Sequence, residues 1–232
     1  MTVLGIDTSA IVCRVALITD ETVIASKTIS NGLTHSETLL PLIKELLLCG
    51  NLSLRDIDCI SISTGPGSFT GLRIGISTAK GLGISLNTPC YSASTLEALA
   101  VNALMYEGKI ICPVMDARRG EFYNALFQVK EGKLVRLCPD RAIPGTEIYK
   151  EIFDKDFVVL GDGAEKFVEQ NSIDEKVLVP EEIRRQSGIS VAKLAMKKSN
   201  GDYVSCEALS PSYIRIPQAE REYIKNNKES EK

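Results

Sequence analysis

The apolar run Val3–Ile6 ends at Asp7, and the apolar run Lys109–Met115 ends at Asp116. Six residues after each aspartate a second strand-like run opens, at Cys13 and at Phe122. In the first half a turn at Thr19–Thr22 leads to a third run, Val23–Ile29. In the second half Lys130–Lys133 leads to Leu134–Leu137. Helical patterns follow each set. Two β-β-β-α units, each with an aspartate closing its first strand, suggest a duplicated α/β fold with two subdomains, the alternative being chance similarity of two α/β halves. The expected division is 1–105 and 106–216, with a polar, frayed tail over 217–232.

Local signals place the remaining elements. Thr34-His35-Ser36-Glu37 and Ser94-Thr95-Leu96-Glu97 both match the capping box, in which a hydroxyl and a carboxylate satisfy the free N–H groups of a helix start. They predict helices from about Ser36 to Cys49, stopped at Gly50-Asn51, and from Thr95 to about Tyr106. Ile57–Ser63, Cys90–Ala93 and Phe157–Leu160 read as strands. Further helices are expected at Thr70–Leu86, Thr146–Phe153 and Ile189–Lys198.

The stretch 63–75, STGPGSFTGLRIG, joins a strand to a helix through a glycine-rich turn, with Ser68 or Thr70 as cap. Past it, Gly71, Gly75, Ala79 and Gly83 recur every fourth residue, which puts them in one smooth stripe. Each interior glycine costs a helix about 1 kcal/mol against alanine, so propensity does not explain the stripe and close backbone contact does. The preceding helix carries Leu39, Leu40, Leu42, Ile43, Leu46 and Leu47 over about 160° of its circumference, more than the stripe of about 100° that packing on one sheet needs. Charges are scarce here: residues 1–105 carry 14 charged side chains and 106–232 carry 43. A charge-poor surface is the composition of an interface core. These features favour a partner face built from Leu39, Leu40, Ile43, Leu47, Gly71, Gly75, Ala79 and Gly83. The alternative is a purely internal helix pair with the glycines against the sheet.

Composition removes several classes. A net charge of −3 lacks the clustered cations that strong nucleic-acid binding by the chain alone requires. Seven scattered cysteines, without C-x-x-C spacing, suit buried thiols in a reducing cytoplasm better than a disulfide frame or zinc site. The N-terminus reads as a strand rather than a signal peptide, and no run is apolar enough for a membrane span.

GIDTS at 5–9, HSETLLPLI at 35–43, GPGSFTGLRIG at 65–75, STLEALA at 94–100, DARRGEFY at 116–123 and the P-x-Y-x-R segment Pro211–Arg215 together resemble the TsaB (YeaZ) family. The resemblance implies the ASKHA superfold of actin, Hsc70 and sugar kinases. It implies a part in making threonylcarbamoyladenosine beside the tRNA anticodon. The chain would be a non-catalytic paralogue that pairs with the catalytic TsaD subunit through the first two helices of each, with the TsaE ATPase joining them. Alone, it would self-pair through the same helices. The resemblance implies no cofactor of the chain's own, and places ATP or ADP with magnesium at the interface with partners.

The residues bear on chemistry directly. The catalytic relatives hold a metal with H-x-x-x-H, two imidazoles on one helix face. This chain has one histidine, His35, and reads YSASTLEALA at the comparable place, with Ser92, Ser94 and Thr95 where ligands are needed. Hydroxyls and a distant Glu97 make no tight transition-metal site, which disfavours a metal-dependent glycopeptidase. His35 stands at a helix start, where a solvated cap residue is expected and a catalytic role is not. Asp7 and Thr8 sit where ASKHA proteins contact phosphate or magnesium, Asp116 is the counterpart, and Gly161 and Gly163 could approach a nucleotide. These five form an expected nucleotide-site remnant, against the plainer reading that they cap turns. A working cleft there would make the chain an ATP-dependent phosphotransferase, although no Walker sequence occurs.

Overall fold

The computed structural model describes residues 1–30, 32–197 and 202–215. The first half runs β1 (Thr2–Asp7), β2 (Cys13–Thr19), β3 (Thr22–Ile29), α1 (His35–Cys49), β4 (Cys59–Gly65), α2 (Phe69–Leu86), β5 (Cys90–Ser94) and α3 (Thr95–Val101). The second runs β6 (Ile110–Asp116), β7 (Glu121–Asn124), β8 (Phe127–Lys130), β9 (Lys133–Arg136), β10 (Arg141–Pro144), α4 (Gly145–Ile152), β11 (Phe157–Leu160), α5 (Ala164–Gln170), α6 (Glu181–Arg184) and α7 (Gly188–Met196).

The duplication is visible in the strand order. In the first sheet, β3-β2-β1-β4-β5, β1 pairs antiparallel with β2 and parallel with β4. In the second, β6 pairs parallel with β11 and antiparallel with both β7 and β8. β7 and β8 act as one strand broken at Ala125-Leu126, and their outer partners β10 and β9 are broken in step. Each half therefore has its strands in the order third, second, first, fourth, and Asp7 and Asp116 close the equivalent strand. This is the ASKHA arrangement that the resemblance implies.

Strand alternation sends side chains to two cores. Leu4, Ile6, Val15 and Leu17 meet Leu39, Ile43, Leu46 and Ile76 of α1 and α2 on one face of the first sheet. Val3 and Ile18 meet Val191, Ala192 and Ala195 of α7 on the other. The second sheet is covered by α3 on one side, through Leu96, Leu99 and Ala100, and by α4 and α5 on the other, through Ile148, Ile152 and Phe167.

Several expectations are corrected. The helix of the second capping box stops at Val101, and turns carry the chain to Tyr106. β10 and α5 were not legible. The single strand expected from Phe122 is split because the buried Asn124 amide donates to the Pro113 and Ala125 carbonyls and interrupts the ladder. α7 and residues 203–206 belong in space to the first sheet, although they fall within the 106–216 span. Among the cysteines, Cys90 and Cys206 form a disulfide with 5.4 Å between their Cα atoms, and Cys49 is exposed. A pair separated by 116 residues has no spacing signature, so the all-free-thiol expectation fails there. The tail 217–232 and the end of the last expected helix, Lys198, lie outside the described residues.

Candidate functional site: the end of β1 and the outer face of the helix pair

Asp7 is fully buried at the end of β1. One carboxylate oxygen accepts the Ser9 N–H at 3.0 Å and the Ser9 hydroxyl at 2.7 Å; the other accepts the Ser63 hydroxyl at 2.6 Å. Arg14 stands opposite Asp7 in the β1–β2 register. Burial pulls the Arg14 guanidinium below its usual pKa, with Asp7 and Asp162 acting against that pull and Arg185 adding to it. Burial pushes the Asp162 carboxyl above the usual range, against a 3.4 Å hydrogen bond from the Gln186 amide and the charge of Arg185. Asp7, Arg14, Asp162 and Arg185 thus form one electrostatic group where the second half meets the end of β1. Arg14, Arg185 and Gln186 were not singled out by sequence reasoning; an arginine facing Asp7 across a hairpin was the available signal.

Thr8 is fully buried beneath α2, with an unbonded hydroxyl. Asp116, by contrast, is exposed. It accepts the Arg118 N–H at 2.7 Å and pairs with Lys166 at 2.9 Å. Partial burial raises its pKa, and the Lys166 and Arg118 contacts outweigh this and hold it below the usual carboxylate value. Gly161 and Gly163 do not reach outward. A Cβ on Gly161 would lie 2.0 Å from the Val114 carbonyl oxygen, and one on Gly163 would lie 2.8 Å from the Asp116 nitrogen. Both let the turn after β11 pass against β6. The five residues expected as a nucleotide remnant are therefore occupied by the chain's own contacts: Asp7 and Thr8 are closed off, the glycines face β6, and Asp116 alone meets solvent. As placed, they do not fit a magnesium–nucleotide.

The glycine stripe is corrected in the same way. Gly71, Gly75, Ala79 and Gly83 are all buried. A Cβ on Gly71 would meet the Thr8 carbonyl at 2.1 Å, one on Gly75 the Thr8 hydroxyl at 2.2 Å, and one on Gly83 the Cys206 sulfur at 1.9 Å. The close approach is to the chain itself. Leu39, Ile43 and Leu47 likewise face the core. Of the eight residues expected at a partner face, only Leu40 is exposed, at 53%. The outer face of the pair nevertheless leaves large apolar side chains uncovered among exposed Glu37, Lys44, Glu45 and Arg73: Leu48 is 71% exposed on α1 and Ile84 55% on α2, with Leu33 and Phe69 also exposed. The surplus leucine width of α1 is real, and it lies at Leu40 and Leu48 rather than around the core-facing arc.

The turn before α2 is set as its sequence suggests, with Ser68 accepting the Gly71 N–H. The His35 imidazole Nε2 donates to the Ala10 carbonyl at 2.9 Å, and its Cδ2 lies where a Cβ on Gly71 would meet it at 3.2 Å. Its neighbours are therefore backbone. Among the described residues no group of three or more His, Cys, Asp or Glu side chains is placed to hold a metal ion, and no helix is long and apolar enough to cross a membrane.

Comparison with known proteins gives these features a family. Residues 22–221 match the family profile TsaD: tRNA N6-adenosine threonylcarbamoyltransferase. The tRNA threonylcarbamoyladenosine biosynthesis protein TsaB of Bacillus subtilis is 33% identical over 230 residues, covering 98% of this chain and all of that one. The crystal structure of YeaZ from Pseudomonas aeruginosa superposes with a TM-score of 0.77 at 27% identity, over 91% of this chain and 99% of that one. The tRNA N6-adenosine threonylcarbamoyltransferase of Tropheryma whipplei is 35% identical over 118 residues, 44% of this chain and 29% of its own length. Matched end to end in sequence and in fold, the chain belongs to the TsaB (YeaZ) family.

Proposed function

We propose that this chain takes part in threonylcarbamoyladenosine biosynthesis on tRNA as a non-catalytic subunit. It pairs with a TsaD-type catalytic paralogue through the outer face of α1 and α2, and a TsaE-type ATPase joins the pair. The observation that carries the reading is the exposed apolar face at Leu40, Leu48 and Ile84. Side chains of this size left half or more uncovered on adjoining elements mark a surface that another protein covers. The closed Asp7 end supports the same reading, since a carboxylate already bonded to Ser9 and Ser63 is not free to carry a nucleotide's metal. Nucleotide and magnesium then belong to surfaces shared with the partners. Without them the same apolar face pairs two copies of this chain.

Reconstitution tests this. A TsaD-type partner, a TsaE-type ATPase, ATP, threonylcarbamoyl-adenylate and tRNA are combined with and without the chain, and modified adenosine is counted. The expected result is product only when the chain is present, and none from the chain without the partner. Equal product in its absence overturns the scaffold role. Magnesium-dependent ATP turnover by the isolated chain, abolished in Asp7→Ala, would point instead to the phosphotransferase.

A further inference from the structure

Three segments far apart in the chain, 65–75, 116–123 and 211–215, meet beside the start of α2. Tyr213 stacks on Phe69 with ring centroids 5.0 Å apart, and its hydroxyl accepts from Arg73 Nε at 2.8 Å. The Arg73 guanidinium lies over the Phe69 ring, 3.7 Å from its centroid. The Ser212 N–H fixes this stretch by donating to the Thr64 carbonyl at 2.8 Å. Two residues past Tyr213, Arg215 donates to the Ala117 carbonyl at 2.6 Å and pairs with Glu121. Ala117 and Glu121 flank the turn Arg118-Arg119-Gly120, which joins β6 to β7.

Two kinds of group are left open on this surface. The first is flat. Phe69 and Tyr213 are 37% and 39% exposed and Arg73 is exposed, so a guanidinium plane and two rings are stacked at the surface. The second is charge. The two carboxylates here are answered, Asp116 by Lys166 at 2.9 Å and Glu121 by Arg215. Arg73, Arg118 and Arg119 are exposed, and among the described residues no carboxylate forms a salt bridge with them. Turn chemistry does not explain the last two. They hold φ of 64° and 57°, in the left-handed region that glycine and asparagine adopt at less cost. A cationic stack beside unpaired arginines suits the two parts of a nucleic-acid single strand: bases stack on rings and guanidinium planes, and phosphates pair with cations. An acidic protein segment would use the charges and not the stack. The patch also lies at the opposite end of α2 from Ile84, since Phe69 precedes Ile84 by about 22 Å of helix.

We propose that this patch holds single-stranded RNA, with a base stacked on the Arg73–Phe69–Tyr213 group and phosphates on Arg118 and Arg119. The choice of RNA as the ligand rests on the tRNA reading above, and the patch gives an unpaired loop of that tRNA a contact on this chain. The cations come from separate segments, so composition does not reveal the cluster. The chain's net charge of −3 keeps binding by the isolated chain weak and sensitive to salt.

The test titrates a short fluorescent single-stranded RNA with the full chain, from low salt upward, and reads anisotropy. Arg118→Gly combined with Arg119→Gly removes two charges and suits the turn, so this variant should fold at least as well as the parent by thermal unfolding. It should weaken binding about tenfold or more, and lower the salt slope by about 1.4, at about 0.7 for each phosphate neutralised on a single strand. Arg73→Lys keeps the charge and loses the plane, so it should weaken binding about fivefold or more and leave the slope unchanged. Equal binding by the parent and both variants overturns the proposal, as does no binding by the parent at the lowest salt. Either result leaves the scaffold role to the reconstitution, which needs no RNA contact on this chain. Loss in the arginine pair with none in Arg73→Lys, together with displacement of the RNA by polyglutamate, overturns the RNA assignment in favour of an acidic protein segment.

Discussion

Gly75 and Gly81 lie on one helix six residues apart, and the structure assigns them opposite responses to the same methyl group. A Cβ at Gly81 meets nothing within 4 Å. Gly81→Ala should therefore gain the full helix preference of alanine, about 1 kcal/mol, which is about 2–4 °C in Tm for a chain of this size. At Gly75 the same atom would lie 2.2 Å from the Thr8 hydroxyl and 3.1 Å from Ile62 Cδ1. Thr8 is fully buried at the end of β1 and has no room to withdraw. Forcing a methyl into such a site costs about 1–3 kcal/mol, against the same gain of about 1 kcal/mol, so the two variants should differ by about 1–3 kcal/mol. Thermal unfolding of both variants beside the parent, as isolated chains at low concentration, reads the difference. Gly75→Leu should fail to fold rather than fold and fail to pair. If Gly75→Ala is as stable as Gly81→Ala while losing its partner, the stripe serves an interface, and the internal packing argument is wrong.

Three other outcomes follow from single contacts. Leu48→Lys lies on the 71% exposed outer face of α1, so it should leave stability within about 0.5 kcal/mol and abolish co-purification with a TsaD-type partner; undiminished co-purification would remove that face from the interface. Asp162→Asn should raise Tm at neutral pH, because burial holds the folded carboxyl's pKa above its unfolded value and the charged form is the costly one. The gain should fade as pH falls below the unfolded carboxylate range, where the parent is already neutral, and a gain unchanged at low pH would contradict the assignment. A thiol reagent at pH 8 should label Cys49 first and leave Cys13, Cys59 and Cys112 silent until unfolding, since burial pushes those three to about 12 from 9.0. Their neutral burial stabilises the fold fully below pH 9 and is lost as pH rises toward 12, so alkaline unfolding should release all three together.

What could be read from the sequence was local, and what escaped was a matter of distance along the chain. Thr34 with Glu37 and Ser94 with the Glu97 N–H place two helix starts within a residue, because a side-chain cap is complete within four positions, although the Glu97 carboxylate turns to Arg136 instead of closing the second box. The recurrence of strand, aspartate and hairpin is likewise local within each half, and it was enough to find the duplication, while the strand order and the split of the second hairpin came from the structure. The glycine stripe shows the limit. Its spacing states that something approaches closely, but Thr8 and Cys206 lie more than 60 and more than 120 residues from Gly75 and Gly83's shared helix face only when counted along the chain; spacing on one helix carries no record of which distant segment folds against it. The Cys90–Cys206 link escaped for the same reason. α5 escaped for another: with Ala164, Phe167 and Val168 as its buried residues in seven positions, it is too short for a periodic pattern to stand out.

The two aspartates that revealed the duplication also show how the halves have parted. Asp116 remains at the surface, answered by Lys166, while Asp7 has been drawn inside and answered by Ser9 and Ser63. Around Asp7 the remaining charges are two guanidinium groups, Arg14 and Arg185, and one further carboxylate, Asp162. Arg14 bears on both carboxylates and Arg185 on Asp162, and Arg185 also pairs with Glu165 at 3.0 Å, so the charges here are answered by one another. The place where a duplicated α/β fold of this kind would hold a charged ligand is here balanced from within. The large apolar side chains left uncovered lie elsewhere, on the outer side of α1 and α2, at Leu40, Leu48 and Ile84 among charged and polar neighbours. A chain whose charged centre is complete and whose apolar face is not has its remaining free energy of association available for another protein, which is the physical ground for reading it as a subunit.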